Sequence, residues 1–198
     1  MRAFPDTVEE FFHRLDRRGV EPDLRDEFRE RIDREAHSVS RVGAPATVDA
    51  VCGRLVPSAA VPPRALSVFL DVVFDQQKGR GDEKAGVLPR ERLIPVGFDV
   101  LDATSQRDHA ASFAELDPAT QDALLSRCER GELEGPEGFD AATWFTRVRE
   151  FVLLGYGSDP RGMVEMGFPG PSYQTGHVWL SEQAVRARAE RKPGYLQL

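Results

Sequence analysis

The sequence predicts an all-α protein, an irregular helical bundle with long Gly/Pro-rich loops and an N-terminal helical extension. Apolar residues recur at helical spacing in segment after segment. The clearest case is Trp144, Val148, Phe151, Val152 and Gly155, which share one helix face. Cap residues punctuate these segments, as at Asp117-Pro118, an N-cap followed by a proline suited to the first helical position. No alternating strand series, strand–helix–strand rhythm or internal repeat interrupts the pattern.

Taken in order, residues 1–19 read as a short helix. Asp6 is its expected N-cap with Glu9 three residues on, Val8, Phe11, Phe12 and Leu15 form its stripe, and Gly19 suits its end. Residues 23–39 read as a second helix with a thin apolar seam, and residues 41–45 as a linker. Thr47 is the expected cap of a helix from Val48 to Val56, stopped by Pro57. Pro63 opens the next, and Ala65–Phe74 is apolar on nearly every side, the mark of a central helix; a buried strand is the rival reading for so short a run, and the preceding Pro-Pro and the length through Lys78 favour helix. Residues 91–107 are helical, with Leu93, Val96, Gly97, Val100, Leu101 and Thr104 on one face. Pro95 predicts a start or a kink there. The helix after Asp117-Pro118 carries Leu124, Leu125 and Cys128. The next begins near Asp140 and is expected to stop at Gly155-Tyr156-Gly157, before an Asp159-Pro160 turn. Ser181 caps a last polar helix, Glu182 to Lys192. The implied organisation is an extension with linker over 1–45, a main domain over 46–180 and a polar helix with tail over 181–198.

The chain has 198 residues, 40% hydrophobic and 30% charged, which fits a globular fold with its own core. Its net charge of −7 argues against a nucleic-acid partner, which calls for a basic excess on one face. No apolar run approaches the roughly 20 residues needed to span a bilayer. Arg17-Arg18 is not followed by an apolar stretch, so the sequence carries no signal peptide and points to the cytoplasm. The two cysteines, Cys52 and Cys128, lie in apolar helical patterns and read as buried thiols, with a disulfide left open.

A search for catalytic chemistry is largely negative. Gly155-Tyr156-Gly157 through Gly162 imitates a dinucleotide loop, but it follows a helix, and no helix clearly begins there. The four histidines, His13, His37, His109 and His177, are scattered and predict no metal site. Asp159 before Pro160 reads as a turn residue bonding backbone amides. What stands out is the stretch after the helix that carries Trp144 to Gly155, where GFPGP leads into further aromatics. Tyr156, Phe168, Pro169, Gly170, Pro171, Tyr173, His177 and Trp179 are the expected partner-binding residues, because Tyr and Trp anchor interfaces. Phe168 and Pro169 also fit a buried loop closing the end of the bundle.

The blocks VCGRLVP (51–57), GFDVLDATS (97–105), FAELDPATQDALL (113–125) and FVLLGYGSDP (151–160), followed by GFPGP, resemble the gluconate 2-dehydrogenase subunit 3 family over roughly residues 46–180. That family comprises small subunits of bacterial membrane-bound, flavin-dependent sugar and gluconate dehydrogenases. The resemblance implies a non-catalytic accessory subunit that stabilises or helps mature a large FAD-bearing partner, often alongside a cytochrome c subunit. FAD is expected on the partner, with no cofactor in this chain. Many family members are exported to the periplasm by a twin-arginine signal, which this N-terminus lacks. Two other readings stand beside it. One is a stand-alone cytosolic interaction protein that kept the fold. The other is a small helical enzyme using Asp159, Tyr173 or His177.

Overall fold

The computed structural model of the chain describes residues 7–17, 22–33, 41–75 and 86–168. Those residues form eight α-helices and one 3-10 turn, with no strand among them. The helices are α1 (Val8–Arg17), α2 (Pro22–Asp33), α3 (Pro45–Leu55), α4 (Pro63–Asp75), α5 (Arg90–His109), α6 (Pro118–Glu129), α7 (Ala141–Ser158) and α8 (Pro160–Glu165). The helical class read from the sequence is the observed one. The expected helix from Glu182 to Lys192 lies outside the described residues, as do Asp6 and Gly19.

Helix α7 is the hub. It packs against α4, α6, α8, α5 and α3. Its buried stripe is Ala141, Trp144, Phe145, Val148, Val152 and Gly155. Asp140 caps it, accepting the Thr143 N–H at 2.7 Å. Trp144 is fixed in several ways. Its Nε1–H donates to the Ile94 carbonyl on α5 at 3.1 Å. Phe98 meets its ring edge-on at 5.2 Å between centroids. Its indole also fills the space a side chain would take at Gly97, where an added Cβ would lie 2.1 Å from ring atoms. A bare backbone at residue 97 is therefore what lets α5 and α7 close on the indole.

A polar staple ties the next layer. The Asp102 carboxylate on α5 accepts the Thr47 hydroxyl of α3 at 2.7 Å and the Phe113 N–H at 2.9 Å. The Phe113 carbonyl in turn accepts from Gln121 Nε2 on α6 at 2.9 Å. The wholly buried Phe113, in the 3-10 turn Phe113–Glu115, thus has both backbone groups satisfied.

Several boundaries differ from the sequence reading, each for a local reason. Thr7 caps α1, its hydroxyl oxygen accepting the Glu10 N–H at 3.1 Å. Thr47 is no cap. Pro45 starts α3 from Ala44, and the buried Thr47 hydroxyl is engaged by Asp102. Pro95 does not start α5, which begins a turn earlier at Arg90 and continues through it; the bond it forgoes is to the carbonyl of exposed Glu91. The buried stripe of α5 also takes in Ile94, Phe98 and Ser105. Helix α7 runs through Gly155-Tyr156-Gly157 to Ser158. At Gly155 the missing side chain serves packing, since a Cβ there would come within 2.8 Å of Phe69 on α4.

Both cysteines are free and buried, Cys52 on α3 and Cys128 on α6. Burial pushes each thiol up to about 12. Apart from the main core, Phe11, Leu15 and Phe28 of α1 and α2 form a small cluster with Met163 of α8.

Candidate partner-docking site

The segment singled out by sequence begins where α7 gives way to α8. Asp159 and Pro160 make that junction, and they start a helix as well as a turn. The buried Asp159 carboxylate accepts the Arg161 N–H at 2.8 Å, and Pro160 takes the first helical position. The Arg161 guanidinium adds bonds to both Asp159 oxygens, at 3.0 and 2.8 Å. Asp159 is thereby both a helix cap and the ion-pair partner of Arg161. The sequence reading found no helix starting here; α8 corrects it, and the glycine-rich run lies in α7 and α8 with no strand before it.

Tyr156 sits half-buried on α7, and its hydroxyl donates to Glu165 Oε2 on α8 at 3.0 Å. The Ser58 hydroxyl donates to the same oxygen at 2.5 Å. The Ser58 bond, with a smaller contribution from Tyr156, holds the Glu165 carboxyl below its usual range. Burial and the bond to Glu165 raise the Tyr156 hydroxyl. Tyr156, expected to face a partner, thus fastens α8 to α7 and to the loop after α3.

Helix α8 stops at Gly167, which adopts φ 70°. Its N–H donates to the Val164 carbonyl at 2.9 Å, and the Phe168 N–H to the Met163 carbonyl at 2.7 Å. That paired pattern closes the last turn and needs a residue at ease with positive φ. The first two residues of GFPGP are therefore a helix terminator, and Phe168 lies exposed just beyond it. Pro169, Gly170, Pro171, Tyr173, His177 and Trp179 lie outside the described residues, as does His37.

Around this terminator the surface is apolar. Leu153 is 50% exposed, Leu154 56%, Met166 52% and Phe168 39%, and these are the large hydrophobic residues that the described fold leaves outside. Leu153 and Gly157 are one turn apart on the outer face of α7. The Met166 Cε lies within 3.9 Å of where a Gly157 Cβ would be. Met166, at the end of α8, thus lies beside Gly157, one turn on from Leu153 of α7. Sequence reasoning missed Leu153, Leu154 and Met166. The signal was present in Phe151-Val152-Leu153-Leu154, because a helix with one buried stripe must expose part of a continuous apolar run.

Little else gathers as chemistry. Among the described residues no group of three or more His, Cys, Asp or Glu converges to hold a metal, and no helix is long and apolar enough to cross a membrane. His13 and His109 are exposed on different helices.

The described residues thus form an all-α bundle with exposed large apolar side chains on α7 and at the end of α8. The family described as gluconate 2-dehydrogenase subunit 3 matches residues 44–170. The chain belongs to that family, whose description is that of a subunit of a dehydrogenase complex. The matched residues open at Ala44, the residue before α3, and close just past Phe168, leaving α1 and α2 outside. No curated protein and no solved structure matches the chain.

Proposed function

We propose that this chain is the non-catalytic small subunit of a flavin-dependent gluconate or sugar dehydrogenase complex, and that it stabilises or helps mature the large FAD-bearing subunit. The supporting observation is the exposed corner of Leu153, Leu154, Met166 and Phe168 at the end of a family domain that otherwise keeps its large apolar side chains inside. Phe168 leads directly into Pro169, Gly170, Pro171, Tyr173, His177 and Trp179, and the proposed contact runs from the corner into that segment. Contiguous apolar surface ringed by charge is the usual form of a protein contact.

Binding that favours the folded large subunit stabilises it by mass action, about 2.7 kcal/mol when the small subunit is present at roughly 100 times the dissociation constant. The flavin and the sugar or sugar acid belong to the partner in this reading, and a cytochrome c subunit would carry electrons onward. Association takes place in the cytoplasm, where the flavoprotein folds.

The test is co-purification with the FAD-bearing subunit after Leu153→Glu and Leu154→Glu are introduced together. Both side chains are exposed, so the bundle should keep its helical circular dichroism and melting point. The expected result is loss of the complex and a lower yield of flavin-loaded large subunit. An undiminished complex would remove the corner from the contact.

A further inference from the structure

Helix α8 leads into Met166 and Phe168 of the exposed corner, yet it has six residues, too few to hold a helix unaided in water. Its place is therefore set by what it packs on. Toward α7 and the loop after α3 its fastenings are polar or backbone. Asp159 caps it, and Glu165 accepts from the Tyr156 and Ser58 hydroxyls. Gly162 lies so close to the Tyr156 carbonyl oxygen that a Cβ there would fall 2.2 Å from it. Toward the N-terminal helices the fastening is apolar. Met163, the large apolar side chain that α8 buries, lies in one cluster with Phe11 and Leu15 of α1 and Phe28 of α2, and Val164 packs against that cluster. The main apolar core is a separate cluster. Both α1 and α2 pack on α8. Arg31 of α2 adds a directed bond at the elbow, donating to the carbonyl of Ser158, the last residue of α7, at 2.8 Å. Helix α8 lies within the family-matched residues, so its apolar seat is supplied by residues outside the match.

We propose that α1 and α2 are a brace that seats α8, and that they thereby hold Met166 and Phe168 at the end of α7 in the arrangement the FAD-bearing subunit contacts. The bracing stands on the packing; its consequence for docking rests on the partner-binding reading above. Phe11, Phe28 and Arg31 are positioning residues in this account, acting on the contact through α8 and not by touching the partner. With the brace weakened, α8 is seated in only a fraction of the molecules, and the apparent dissociation constant rises by the inverse of that fraction.

Native-state hydrogen exchange on the full chain reads the seating through the amides of Met163, Met166, Gly167 and Phe168, which donate within α8 and its terminal turn. Phe11→Ala should speed these amides about tenfold and leave those of α3, α5 and α6 unchanged. Phe11→Leu, which keeps an apolar side chain in the cluster, should restore most of the protection. Titration with the FAD-bearing large subunit reads the consequence. Phe11→Ala should raise the apparent dissociation constant about tenfold and Arg31→Ala about threefold, while Phe11→Leu stays within about twofold of the unaltered chain. Unchanged exchange at α8, or equal acceleration of every helix, overturns the brace. Faster exchange at α8 with unchanged binding overturns the positioning role. If the unaltered chain does not bind the large subunit, the docking reading is what fails, and exchange at α8 still decides whether the two helices brace it.

Discussion

Trp144 and Phe11 are both wholly buried aromatics on amphipathic helices, yet they sit in different kinds of structure. Trp144 answers to α5 through a hydrogen bond, a ring contact and a glycine socket, while the same helix packs against α3, α4, α6 and α8. Phe11 answers to Phe12 on its own helix, to Phe28 of α2 and to Met163 of α8. The difference lies in how many separate elements must move before the ring is freed. Apolar content alone does not distinguish the two regions. The number of independent constraints does, and it sorts the molecule into a scaffold and an attachment.

The largest expected effect is on the scaffold. Trp144→Ala should cost about 3–5 kcal/mol, measured by chemical denaturation, because it leaves a cavity and removes the indole bond to the Ile94 carbonyl. It should also speed labelling of Cys52 and Cys128 by a thiol reagent at neutral pH, whereas Phe11→Ala should not. Equal labelling in both variants would erase the distinction between the two regions. Next comes Asp102→Ala, which strips the acceptor from the Thr47 hydroxyl and the Phe113 N–H. A loss of about 1–3 kcal/mol is expected, again by denaturation, and Asp102→Asn, which keeps one acceptor oxygen, should lose less.

The smallest effect concerns acid. Arg107 and Arg127 bond to the Asp108 carboxyl and hold it down to about 2, from an ordinary 3.8. A carboxyl depressed in the folded state adds stability that is fully present above its unfolded value and is lost as pH falls through the folded one. The window therefore runs from about pH 4 down to about pH 2. Asp108→Asn should flatten the acid limb of the stability curve there, with little change near neutrality, because these groups are exposed and screened. An unchanged limb would mean that the bridge contributes nothing measurable.

Much of the scaffold could be read from residue order. Asp117 caps where the pattern placed a cap, α7 begins beside Asp140 where a helix start is read, and the apolar run 65–74 is helix. The errors share a cause. Gly155 and Thr47 are read by local preference, and each is overridden by something distant in sequence, Phe69 and Asp102. Helix α8 was missed because six residues are too few to show a period, though Asp159-Pro160 has the same chemistry as the cap at Asp117-Pro118. The blocks that carry the family resemblance prove largely structural: Gly97, Asp102, Phe113, Gln121 and Gly155 all hold the bundle together. The corner was less legible. Leu153 and Leu154 look like core residues in a string of letters, and only the direction of α7 shows that they point outward.

The sealed thiols bear on where such a chain can live. With each sulfur kept protonated and out of reach, folding needs no oxidase and no shuffling of bridges, and a reductant finds nothing to cleave. Neither sulfur is cross-linked, so the described fold rests on packing and hydrogen bonds with no covalent staple.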